Sequence, residues 1–272
     1  MNRTPTSDPN SDVLAQSRET LLKAHIIHDF NMERVRANLI GCYGIIMAHV
    51  YRRMLRFVCG SRLIDCGCGF GQFARVAIDA GYQVHAVDID DNSLELARQL
   101  SGIPCRKESV YATSLPDNSC DTAVCCDSVQ HFDLRQLAPE LGRLGVQRII
   151  IYDSNLQNRF LKYHRAATGH EERNDLSVND IVRELTQLGY SAMLLRYENY
   201  LSLPLSGGFQ QAPFSLANRF PRAVYSLDQM LAPVVRTIGL EHQFAFRFLL
   251  IFDRASGTSV KDATPSGSPS KV

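Results

Sequence analysis

From residue 12 to residue 58 the apolar positions recur at helical spacing. "VLAQSRETLLKAHIIHDF" and "NMERVRANLI" each carry one apolar face, "GCYG" (41 to 44) interrupts the run, and "IIMAHVYRRMLRFV" resumes it. Beyond residue 58 the period changes. Short apolar runs alternate with amphipathic stretches: "RLIDC" (62 to 66), "QVHAVDI" (83 to 89), a weak "PCRKESV", "DTAVCCDSV" (121 to 129), "QRIIIYDS" (147 to 154) and "SAMLLRYENY" (191 to 200) read as strands. Between them, "QFARVAIDAG" reads as a helix closed by Gly81, and "DNSLELARQLSG" as one capped by Asp91, Asn92 or Ser93. "LRQLAPELGRL" and "SVNDIVRELTQLGY" follow, the latter capped by Ser177. A last strand, "QFAFRFLLIFDR" (243 to 254), comes only after residues 201 to 242, where one helix, "SLDQMLAPVVRTIGL", is legible.

Strands alternating with helices predict an α/β fold, a doubly wound, mostly parallel sheet of seven strands with helices on both faces. The domain organisation read from this is a disordered 1–11, a helical cap over 12–58, a sheet domain over 59–254 and a disordered tail over 255–272. The 201–242 insertion is either a substrate lid or a cover for one sheet edge.

Composition narrows the function classes. Hydrophobic residues make up 45% of the 272 and charged residues 21%, as in ordinary globular chains. The net charge of +1 argues against a broad nucleic-acid footprint. No apolar run reaches bilayer length, so no stable membrane insertion is expected. The N-terminal "MNRTPTSDPNSDVL" lacks the apolar core of a signal peptide, which points to the cytoplasm. The eight cysteines all lie in the first half, paired closely only as C-x-C and C-C. Those spacings do not suit zinc; buried cysteines acting as small hydrophobes are expected, and no metal site. Oligomeric state is not legible, and a homodimer stays open.

The chemistry concentrates in "RLIDCGCGFGQFARV" (62 to 76). In an open parallel sheet, ligands bind at the carboxyl ends of the strands. Gly67, Gly69 and Gly71 alternate in the loop after the first strand, where glycine lets backbone approach a ligand. There is no G-K-[ST] ending for a phosphate loop, and Gln72 stands where a dinucleotide fingerprint has its third glycine. Asp65 precedes the loop and Asp88 closes the second strand. Two acids disfavour a pyrophosphate and suit a ligand that carries an amino group and a ribose.

These residues resemble the class I S-adenosylmethionine-dependent methyltransferases. "DCGCGFG" matches the family's acid-x-G-x-G-x-G motif, "AVDID" its acid at the end of the second strand, and "LPDNSCDTAVCCDSVQHF" (115 to 132) its fourth-strand region. The resemblance spans roughly residues 55 to 254 and implies an antiparallel last strand. It further implies S-adenosylmethionine as cofactor, with Asp65 on its amino group, the Gly67–Cys68–Gly69–Gly71 loop around its methionyl part and Asp88 on the ribose hydroxyls. Ile89 and Val110 would lie against adenine, and Asp127 near the methyl donor. Tyr111 stands where many members have an acid for the adenine amino group.

The catalytic expectations are His131 as general base, with Asp127 and Tyr152 on the same face. Asp153 and Asn155 join Tyr152 at the end of the fifth strand. Tyr43, His49, Tyr51 and Arg52 or Arg53, in the segment that leads into the domain, are candidates to cover the cofactor. Arg52 or Arg53 would pair with its carboxylate. His164 and His170 are weaker substrate candidates. No "[DN]PP[YF]" run follows the fourth strand, which lowers the case for a nucleic-acid acceptor. The expected reaction is methyl transfer to a small metabolite or lipid-like precursor. The rivals are a nucleotide-dependent oxidoreductase on the same sheet and a non-catalytic cofactor-binding protein.

Overall fold

Five strands run parallel because each is followed by a crossover that returns the chain to the same edge. They are β1 (Arg62–Cys66), β2 (Gln83–Asp88), β3 (Cys105–Lys107), β4 (Thr122–Cys126) and β5 (Arg148–Ser154). With β6 (Tyr190–Glu198) and β7 (Arg247–Arg254) they form one sheet in the order β3-β2-β1-β4-β5-β7-β6. β7 is antiparallel to both neighbours, pairing Ile150 with Ile251 on one side and Leu195 with Leu250 on the other. This computed structural model describes residues 31–161, 176–208 and 211–255.

Both faces of the central strands β1, β4, β5 and β7 are buried, which explains their near-continuous apolar runs. The side chains alternate between two cores. Ile64, Cys66, Ala123, Cys125, Ile149, Ile151, Phe248 and Leu250 face one. Leu63, Val124, Ile150, Tyr152, Leu249 and Ile251 face the other. The second core is covered by α1 (Met32–Ile40) and α2 (Cys42–Met54), whose Tyr43, Met47, Val50, Tyr51 and Met54 are buried in it. α3 (Gln72–Asp79) joins it through Phe73 and Ala77. The first core takes Leu134, Leu137 and Leu141 of α5 (Leu134–Arg143) and Val178, Ile181 and Leu185 of α6 (Val178–Gln187). α4 (Asp91–Ser101) lies between β2 and β3 in the chain.

Several expected boundaries move. The break at 41–44 shrinks to Gly41: its N–H returns to the Asn38 carbonyl, and Cys42, Tyr43 and Gly44 are already helical. α4 is capped by Asp90, one residue earlier than the expected caps, with its carboxylate accepting from the Ser93 N–H and hydroxyl. The Ser177 cap of α6 forms as expected, within a reciprocal capping box with Asp180. β3 keeps three residues of its weak run, and β4 stops at Cys126 rather than 129. The insertion holds more than one helix: α7 (Ser202–Ser206), α8 (Ser215–Arg219), α9 (Pro221–Thr237) and α10 (Glu241–Phe244). The first predicted helix (13–30), the two histidines His164 and His170, and nearly all of the tail lie outside the described residues.

Candidate active site

The loop after β1 is built by close packing as much as by flexibility. Gly67, Gly69 and Gly71 all have positive φ, at 69°, 49° and 70°. A Cβ on Gly67 would come within 2.9 Å of the Ser128 Cβ, and one on Gly71 within 2.6 Å of Ile103 Cδ1. A Cβ on Gly69 would meet nothing within 4 Å. The outer glycines are therefore small because the protein fills the space, while the middle one faces room for a ligand. The Cys68 N–H is tied to the Val87 carbonyl, fixing the loop to β2, and the Ser128 hydroxyl donates to the Cys66 carbonyl from the β4 side.

Asp65 lies one residue before the end of β1, on the face it shares with Leu63, and it is 1% exposed. No side chain donates to its carboxylate; the one donor that acts on it is the backbone N–H of Ala74. Burial, with the Asp88 charge nearby adding to it, outweighs that donor and pushes its carboxyl up to about 7. A buried carboxylate with so little donation is costly unless something cationic arrives. Asp88 differs. Its Oδ2 accepts from the Gly69 N–H at 2.7 Å, and its Oδ1 accepts from the N–H groups of Ile89 and Asp90 at 2.7 and 3.0 Å. Burial raises its carboxyl, and these three donors oppose the rise. It so holds the glycine loop and stands at the strand end with lone pairs to spare for hydroxyls.

These features test the fit of S-adenosylmethionine, and they accommodate it: a buried anion for an ammonium, an open glycine, and a carboxylate at the end of β2. Val110 is buried, and Ile89 is half-buried beside Asp88. Tyr111 accepts at its hydroxyl from the Asp133 N–H, 2.9 Å away, and its ring meets Phe132 edge-on. The turn that carries Tyr111 is clamped to α5: Glu140 accepts from the N–H and hydroxyl of Thr113, and Arg143 reaches Glu140, Asp117 and the Leu115 carbonyl.

The cysteines that mark the motif point away from this space. Cys66 is buried against Cys125, and Cys68 packs with Ala74, Ala86, Leu94 and Ile103 beside Cys105. The neighbouring thiol and burial push both well above the ordinary thiol range, so neither is a thiolate at neutral pH. The part Cys68 plays in the loop is that of its backbone. Among the described residues no group of three or more His, Cys, Asp and Glu forms a metal cage.

On the other side of β1 the strand ends are crowded with paired groups. Asp127, just after β4, adopts a left-handed φ of 54°, donates its N–H to the Tyr152 carbonyl, and forms a 3.0 Å ion pair with Arg247. Arg247 begins β7 and also donates to the Ser154 hydroxyl. Burial opposes its charge, but Asp127 and the surrounding acidic groups outweigh it and keep the guanidinium protonated. Tyr152 is fully buried, and its hydroxyl donates to Asn199, which donates on to Ser202 and thence to Asp228. Burial pushes the phenol well above its ordinary range, so the structure gives Tyr152 an anchoring position rather than an exposed one. Asp153 accepts from the Val129 N–H at 2.9 Å and so holds the 3-10 turn Val129–His131. His131 stands at the end of that turn, partly exposed, with its N–H on the Ser128 carbonyl. Asn155 holds the carbonyls of His242 and Ala245 and shapes the entry to β7.

The cap residues divide. Tyr43 and Tyr51 are buried beside Tyr152. His49 stacks on Tyr225. Arg53 is consumed by Glu198 and Gln229, which removes it as a partner for a cofactor carboxylate, and Arg52 is exposed. Arg247 and Ser128 were not among the sequence candidates. An arginine opening a strand that otherwise reads "FLLIF" was the available signal for the first.

Residues 64–146 match the family model described as a methyltransferase domain. That stretch, from β1 to the turn before β5, carries a methyltransferase domain. Solved structures agree in fold: a SAM dependent methyltransferase from Archaeoglobus fulgidus (TM-score 0.56, 16% identity, 77% of this chain and 93% of that one). Geranyl diphosphate C-methyltransferase from Streptomyces coelicolor A3(2) follows (TM-score 0.53, 13% identity, 77% and 79%). So does a methyltransferase from Mesorhizobium loti (TM-score 0.50, 18% identity, 79% and 100%). No curated protein sequence matches the chain.

Proposed function

We propose that this methyltransferase domain transfers a methyl group from S-adenosylmethionine to a small metabolite or lipid-like precursor. The observation that carries the reading is the buried Asp65 carboxylate, which no side chain pairs, beside the open Gly69. The cofactor supplies a methyl group on a positively charged sulfur, so the chain's own residues need only bind, orient and manage a proton. Asp65 takes the ammonium, Asp88 the ribose hydroxyls, and the Gly67–Gly71 loop the methionyl backbone. Ile89, Val110 and Tyr111 line the adenine end. The Asp127–Arg247 pair sets the wall at the transfer end and keeps a fixed charge arrangement there. In-line transfer requires the acceptor atom to be held against the methyl carbon, and positioning of this kind is the main source of acceleration. As the acceptor atom bonds to the methyl carbon, the carbon–sulfur pair stays with sulfur. Any proton the acceptor loses passes to His131, which Asp153 places through the Val129–His131 turn.

Fold similarity to the Streptomyces coelicolor enzyme, whose structure holds geranyl diphosphate, supports an apolar acceptor among the small molecules. The test is transfer of a labelled methyl group by the purified full chain to prenyl diphosphates, other lipid precursors and polar metabolites. Labelling of an acceptor that is lost in His131→Ala, by about 100-fold or more, with cofactor affinity retained, supports the assignment. A melting temperature raised by NAD(H) and not by S-adenosylmethionine would overturn it in favour of an oxidoreductase.

A further inference from the structure

The segment 211–239 presents an outward surface that the methyl-transfer site does not use. α9 buries Val224, Asp228 and Val235 along its inner line. Its outer line carries Leu227, Met230 and Val234, continued by Ile238, at steps of three and four residues; they are 54%, 71%, 58% and 62% exposed. Before the helix, Phe214, Leu216 and Phe220 are 63%, 69% and 48% exposed. No described residue covers this ridge. Scattered apolar residues on a surface need no explanation, but a continuous ridge does.

Charge identifies what it meets. The only acid between 211 and 239 is Asp228, which is fully buried and spent on the N–H groups of Tyr200 and Leu201 and the Ser202 hydroxyl. The exposed charges of the stretch are Arg219, Arg222 and Arg236, all cationic. Arg236 pairs with Glu241 from the next helix, and Arg219 lies over the Phe220 ring. An apolar ridge on an exposed helix face, accompanied by arginines and with no exposed acid between 211 and 239, is complementary to a surface that is apolar within and anionic at its boundary. No described helix is long and apolar enough to cross a membrane, which limits the contact to the interface.

We infer that the outer face of α9, with Phe214, Leu216 and Phe220, docks the protein on an anionic lipid bilayer surface. The ridge enters the acyl boundary while Arg219 and Arg222 sit at the headgroups. The helix that carries the ridge is tied to the end of β5, because Asp228 on its inner line ends the chain of hydrogen bonds from Tyr152 through Asn199 and Ser202. The inference stands whichever acceptor is methylated.

Flotation of the full chain with phosphatidylcholine vesicles, with and without phosphatidylglycerol, tests it. The protein floats with the anionic vesicles, and added salt weakens the association. The pair of exposed substitutions Met230→Asp and Val234→Asp lowers binding at least about tenfold, and Arg222→Gln about fivefold, with melting temperatures unchanged. Equal flotation on both vesicle types, or none, overturns the inference. So does a full-chain dimer in sedimentation that Met230→Asp dissociates, since a second copy then occupies the ridge.

Discussion

Near the end of β1 a carboxylate is 1% exposed and is paired by no side chain. At the ends of β4, β5 and β7, buried and partly buried polar groups are paired within the chain: Asp127 with Arg247, Tyr152 with Asn199, Asp153 with the Val129 N–H. The β1–β2 side leaves a charge and a space unfilled, as a ligand site does before its ligand arrives. The β4–β5–β7 side closes its network without help, as a wall does. One sheet edge therefore separates binding from support, and the two sides should respond oppositely to substitution.

Arg247→Leu gives the largest effect. It removes the cation paired with the partly buried Asp127, and a loss of about 2–3 kcal/mol in unfolding free energy is expected. Denaturant titration reads it. An equal loss of cofactor affinity in the folded fraction would dissolve the distinction between the two sides. Asp88→Ala acts on the other side: it removes three backbone hydrogen bonds and the proposed ribose acceptor. Cofactor affinity falls by about 10- to 100-fold, from the ~1.5–3 kcal/mol that hydrogen bonds to a charged group contribute. Tyr152→Phe leaves the Asn199 carbonyl oxygen buried without its donor, for about 1–2 kcal/mol of stability, while the Kd for cofactor stays as it was. Smallest is the change in affinity when Cys66 and Cys68 both become Ala. The thiols face the core, so stability drops modestly while calorimetry returns an unchanged Kd.

The pattern on which the proposed cofactor site rests is legible because its geometry is local. An acid, three alternating glycines and a second acid at the next strand end are dictated within residues 65 to 88 by one turn and one crossover. The support side is assembled from distant segments, and no local pattern announces it. Arg247 reaches Asp127 from across the sheet because β7 is antiparallel and delivers its first residue to the carboxyl ends of β4 and β5. Arg53 looked available in the sequence, yet the fold places Glu198 against it. Tyr152 sits where a reacting phenol was expected, but the alternation of β5 turns it into the core that contains Tyr43 and Tyr51. The strand runs were visible from their apolar content. The break at Gly41 and the cap at Asp90 were placed by one and two hydrogen bonds, which composition does not reveal.

The state of Asp65 is the centre of the account. In the folded protein its carboxyl is raised to about 7, above the carboxylate of an unfolded chain, so the folded state holds the proton more tightly. Its contribution to stability is therefore full at low pH and declines as pH rises towards about 7, a cost that an ammonium ligand removes. Calorimetric titration of S-adenosylmethionine below about pH 7, in buffers of different ionisation enthalpy, measures this directly. The account predicts net proton release on binding by the natural protein, and weaker binding without that release by Asp65→Asn. Proton-neutral binding by the natural protein, or an unchanged Kd in Asp65→Asn, would contradict it.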